Sequence, residues 1–222
     1  MAFSDRQGLV SAALDLIVAT AQADNLDAVA TAEADRTVVW VSRALPRHTT
    51  YAFSANGTAT RYPTSGTLTT ALTSPWVVGF STIDRIEYPT GDRPRTFLDE
   101  SEWWNYPSVE TATNIEFDLA PASGTSNLVL EYTVLWSVTD STSNVPDHLE
   151  PGFEYALASA VCEIIAAKYA HSGSSTMEGD SVNYGSKSGE WRAMADAFRD
   201  KASQALGVDL EGGGASAGKA DK

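Results

Sequence analysis

The residues best suited to chemistry are carboxylates. Asp99, Glu100 and Glu102 crowd ahead of Trp103-Trp104, and Glu116 and Asp118 alternate along one strand-like segment. Paired carboxylates can share acid and base roles or hold a cation through oxygen ligands. No lysine or histidine lies nearby to complete such a site, so a solvated acidic rim is the simpler reading and no catalytic residue is assigned. The histidines His48, His148 and His171 each stand beside a predicted helix end, and no two share a local element. A metal site needs such sharing, and no metal or other cofactor is expected. Gly185-Ser186-Lys187-Ser188 has the ending of a phosphate-binding loop, but the glycine required five positions before Gly185 is Asp180. The segment also follows a helix instead of a strand, so it reads as an interhelical loop. Cys162, the only cysteine, lies in the apolar helical run Ala160-Val161-Cys162-Glu163-Ile164. It reads as a buried thiol, with no internal disulfide and no cysteine-based zinc site open to one chain.

Tryptophan is the more informative excess. Trp40, Trp76, Trp136 and Trp191 fall in patterned segments and read as core. Trp103 and Trp104, with Tyr106 just beyond, fall in a loop after acidic residues. Adjacent aromatic side chains in a loop either anchor an interface or cap the open end of a sheet.

With 222 residues and 43% hydrophobic content, the chain can bury one sizeable core or a core plus a smaller lobe. The start, Met1-Ala2-Phe3-Ser4-Asp5, carries no basic region ahead of an apolar run, and no run of apolar residues is long enough for a membrane span. Secretion and membrane insertion are therefore not expected. Against 29 acidic residues stand 15 basic ones, a formal charge of -14. No window holds the Lys/Arg cluster that phosphate contacts require, so direct nucleic-acid binding is disfavoured. A negative wall would instead repel a passing nucleic acid, which suits a conduit.

The elements that would position these residues follow from the periodicities. Ser4-Asp5-Arg6-Gln7 reads as a capping box, and Leu9, Ala13, Leu16 and Ile17 predict a helix from about Asp5 to Thr20. Ala30, Ala34, Val38, Val41 and Leu45 predict a second, stopped by Pro46. From Arg47 to about Asp140 the period becomes alternating. Asn56-Gly57 predicts a two-residue hairpin between Thr49–Phe53 and Thr58–Thr60, and the sequon at Asn56-Gly57-Thr58 is read as a turn only. Further strands are expected at Trp76–Tyr88, Ile115–Leu119 and Leu128–Val138, with Tyr62–Ser74 as a surface loop. The helical period returns after Pro146, predicting a third helix to about His171 through Phe153, Leu157, Val161, Ile164 and Ile165. Ser172–Gly189 reads as a loop, and Trp191, Met194, Ala195, Phe198, Ala202 and Leu206 predict a fourth helix ending at Gly207. Val208 to Lys222, with Gly212-Gly213-Gly214, lacks a pattern and reads as a flexible tail. The expected class is α+β. A helical bundle forms from 1–46 and 141–207, with a β-rich antiparallel insertion at 47–140 projecting from one end and a tail at 208–222.

Trp76-Val77-Val78-Gly79-Phe80-Ser81-Thr82-Ile83-Asp84-Arg85-Ile86-Glu87-Tyr88-Pro89, then Glu102-Trp103-Trp104, Val129-Leu130-Glu131-Tyr132-Thr133, and Val145-Pro146 opening an alanine-rich helix, together resemble tailed-phage head-to-tail connector (adaptor) proteins. The similar order runs from about Ser4 to Gly207 and lies in element order and texture, without a catalytic signature. The resemblance implies a non-enzymatic virion protein of the neck, assembled in the host cytoplasm. It implies a ring, commonly of twelve copies, seated on the portal, with DNA passing through unbound toward a stopper or tail protein. It also implies a C-terminal segment that docks on the portal, here carried by Val208, Leu210, Lys219 and Lys222. Besides an enzyme, which would require a carboxylate site at Asp99, Glu100 and Glu102, two other readings compete with the adaptor. One is a stopper or tail-completion neck protein, and the other a carbohydrate- or receptor-binding module stacking its ligand on Trp103, Trp104 and Tyr106.

Overall fold

The computed structural model describes residues 3–17, 26–74, 76–109, 112–171, 176–177, 180–181 and 184–210, with backbone only at 106–109, 112–113, 176–177, 180–181 and 184–186. Two helices open the chain, α1 (Arg6–Ile17) and α2 (Leu26–Ala44). Then come β1 (Arg47–Ala55), β2 (Arg61–Tyr62), the single turn α3 (Leu68–Ala71), β3 (Ile83–Glu87), β4 (Trp103–Val109), β5 (Ala112–Phe117) and β6 (Gly124–Val134). α4 (Glu150–His171), the short β7 (Thr176–Met177) and β8 (Asp180–Ser181), and α5 (Tyr184–Leu206) close it. The fold is α+β. Its two compact units are Met1–Leu45 with Trp136–Lys222, and Pro46–Leu135. Among the described residues no helix is long and apolar enough to cross a membrane.

In the helical unit, Asp5 Oδ1 accepts the Gly8 N–H at 2.8 Å and caps α1. The cap therefore falls one residue later than a box opening at Ser4 would place it. The expected end of this helix, Thr20, lies outside the described residues. Ala30, Ala34, Val38 and Val41 of α2 are buried, as their four-and-three spacing predicts. α4 lies against α1, α2 and α5, and so buries Phe153, Leu157, Val161, Cys162 and Ile165. α5 begins at Tyr184, inside the stretch read as an interhelical loop.

Where the chain leaves this unit and where it returns, it is pinned to itself. The Trp136 indole N–H donates to the Leu45 carbonyl at 2.7 Å. Ser42 Oγ accepts the Trp136 backbone N–H at 3.0 Å and donates to the Val38 carbonyl. Each of these groups is buried or partly buried, so each bond also removes a desolvation penalty.

The β unit holds two antiparallel three-stranded sheets, ordered β1-β6-β3 and β2-β5-β4. They share one core that includes Phe53, Tyr62, Ile86, Ile115, Phe117 and Leu130. Along β6, Leu128, Leu130, Tyr132 and Val134 are buried, while Glu131 on the opposite face pairs with Arg85 at 2.5 Å and Arg95 at 3.0 Å.

Three local expectations are corrected here. Asn56-Gly57 is a turn but not a hairpin, because β1 pairs with β6 in the register Tyr51↔Leu130. Asn56 Oδ1 accepts the N–H groups of Thr58 and Ala59, redirecting the chain toward the other sheet. Only Ile83–Glu87 of Trp76–Tyr88 is a strand, because a tight turn precedes it. There the Val77 carbonyl accepts the N–H groups of Phe80 and Ser81, and Gly79 has φ +80°. The Tyr62–Ser74 loop contains α3, with Leu68 and Leu72 buried in the β core.

Candidate functional site

The carboxylates of the 99–102 segment are used to build a turn. Asp99 Oδ1 accepts from the Ser101 backbone N–H at 2.9 Å and from its hydroxyl at 2.8 Å. Glu102 Oε2 accepts the Asp99 N–H at 2.7 Å. The Ser101 bonds hold the Asp99 carboxyl below its usual value, so it is ionised and unsuited to donate a proton near neutrality. Glu116 lies 3.3 Å from the Arg61 guanidinium. Among the described residues no three His, Cys, Asp or Glu side chains cluster as a metal site would require.

This turn leads directly into β4, which corrects the loop expected at Trp103-Trp104. As the strand alternates, the two indoles face opposite ways. Trp103 packs on the β core, its indole N–H buried without a partner. Trp104 is 42% exposed on the outer face. The aromatic platform of the sequence reading is thus reduced at its centre to one exposed ring. The Tyr106 side chain lies outside the described residues. Register places Trp104 opposite Glu116, and Glu116 opposite Arg61, in one row across β4, β5 and β2. Asn114 lies on the same face of β5 as Glu116, only 7% exposed, and its Oδ1 has no partner. Neither the edge position of Trp104 nor the lone Asn114 oxygen is legible in sequence, since both depend on pairing between distant strands.

The histidines fall apart from one another. His171 ends α4, its Nδ1 2.7 Å from the Ala167 carbonyl. His148 is exposed just before α4. His48 stands on β1 instead of a helix end, 2.7 Å from Asp84. Cys162 is fully buried, and burial pushes its thiol up to about 12. Of the loop read against a phosphate site, Gly185–Ser188 opens α5, where Ser188 Oγ donates to the Ala166 carbonyl at 2.9 Å.

The C-terminal segment differs from the sequence reading over its first residues. Gly207 has φ +68°, and the Val208 N–H donates to the Ser203 carbonyl at 3.2 Å. This pairing caps α5. Leu210 is 2% exposed in the helical core, and its N–H donates to Ser203 Oγ. Val208 packs on the same core. Both apolar side chains of the expected tail therefore cover the bundle, and Lys219 and Lys222 lie outside the described residues. Leu210 also ends a surface groove of about 400 Å³ between α2, α4 and α5, whose walls include Arg36, Trp40, Glu163 and Arg199.

No family model matches this chain, and no curated protein matches it. A solved structure described as the neck of an empty GTA particle computed with C6 symmetry matches it at 14% identity, covering 86% of this chain and 88% of that one. The TM-score is 0.28, and a superposition at that level carries no argument for fold or function.

Proposed function

We propose that this chain is a non-enzymatic structural protein of a virion neck, the head-to-tail adaptor. It forms a ring, with twelve copies as the expected number, docks on the portal and continues the DNA channel toward the stopper or tail. The observation that supports this most is the order of elements. One helical unit drawn from both chain halves carries a β-rich insertion, in the sequence order of the adaptor resemblance. The formal charge of -14 supports a wall that DNA passes without binding. A ring needs two different faces on each copy, one accepting the other, and the groove at Trp40 and Arg199 is the accepting face we favour. Since Val208 and Leu210 cover the bundle, portal docking falls to 211–222, including Lys219 and Lys222.

Cross-linking mass spectrometry on intact particles tests this. Links from Lys219 or Lys222 to the portal are expected. Links to tail proteins alone would make the chain a stopper or tail-completion protein, and its absence from particles would reject a virion role.

A further inference from the structure

We propose that the outer face of the β2-β5-β4 sheet around Trp104 is a docking site for an arginine-bearing segment of another protein. This stands apart from the neck reading and does not depend on it. This face offers two complementary features. Trp104 is a large ring, 42% exposed, on a strand that pairs, among the described residues, with β5 alone. An indole face within about 6 Å of a guanidinium attracts it through the ring quadrupole. Directly across the ladder, at the ~4.5–5.5 Å spacing of opposed residues, Glu116 offers carboxylate oxygens, of which Arg61 engages Oε2.

A π face beside a carboxylate calls for a planar cation that can stack on the ring and donate N–H groups to the oxygens. Guanidinium fits that description, having five donors in a rigid fork and weak hydration. The compact, strongly hydrated ammonium of lysine fits it less well. The surroundings favour a cationic partner too, since Asp99 and Glu102 lead into β4 and Asp118 follows β5. A second copy is the poorer occupant, because a chain of charge -14 brings like charge to this face.

The test uses the full chain with two probes, octa-arginine and octa-lysine, followed by amide NMR shifts and calorimetry at moderate salt. Octa-arginine is expected to bind saturably, with shifts concentrated at Arg61, Asp99–Trp104 and Asn114–Asp118. Octa-lysine should bind at least about fivefold more weakly, and Trp104→Ala should weaken octa-arginine roughly tenfold. Glu116→Gln supplies a second variant that keeps the ring and should also weaken binding severalfold. Equal affinity for the two peptides would overturn the proposal. So would shifts spread over the other carboxylates, or affinity unchanged in both variants, since each means simple attraction to an acidic protein.

Discussion

Gly152 is the third residue of α4, where a glycine would ordinarily weaken a helix. A methyl group built on it would overlap the Leu206 side chain of α5, so the glycine is what lets the two helices approach. Gly152→Ala should destabilise by about 1–3 kcal/mol despite its better helix propensity, and the Tm should fall by several degrees. Pairing it with Leu206→Ala should give less than the sum of the two losses, a coupling that a double-mutant cycle reads directly. Cys162 makes a second test at this scale. With its thiol pushed up to about 12 by burial, it should resist a thiol reagent at pH 8 in the folded chain and react in full once unfolded. The sequence made Cys162 legible as core because its neighbours repeat at helical spacing. It did not reveal Gly152, whose role depends on a residue 54 positions away meeting it in space.

Along α4, Glu150 and Glu154 stand one turn apart near the start of the helix. Burial holds the Glu154 carboxyl above its ordinary value of 4.5, and repulsion from Glu150 adds to the shift. The folded chain therefore binds this proton more tightly than the unfolded chain does. The corresponding stability is fully present below about pH 4.5 and lost as pH rises through the folded value. Glu154→Gln should thus raise the Tm at pH 7, by on the order of 1–2 °C, and the advantage should vanish at pH 4. A thermal melt at the two pH values checks the sign. Helices were legible in the sequence because their signal is local, as in Ala30, Ala34, Val38 and Val41. Strands were less so. β1 finds its partner about seventy or more residues on in β6, and no neighbouring residue announces that choice. Gly207 ends α5 as the pattern predicts, whereas Val208 and Leu210 beyond it, expected as anchors for a partner, pack on the helical core. An apolar residue just past a terminal glycine commonly folds back on its own helix, and that pattern is present here.

Across the whole molecule, the two units keep separate cores. The row of Trp104, Glu116 and Arg61 across β4, β5 and β2 shows why the candidate site is only half legible. The sequence displays Trp103, Trp104, Glu102 and Glu116, but which indole faces outward and which carboxylate sits beside it is decided by strand register. The Leu45–Trp136 junction has a different consequence. Since the two ends of the insertion are held within one hydrogen bond of each other, residues 46–135 occupy a socket. Loop-closure entropy rises only slowly with length, so the helical unit is nearly indifferent to how much chain the socket carries. A short Gly/Ser bridge in place of 46–135 should leave a helical protein with an intact Trp136 environment, read by circular dichroism and fluorescence. By the same geometry, a lineage could exchange the cargo at this point, trading one recognition surface for another while the scaffold beneath stays as it is.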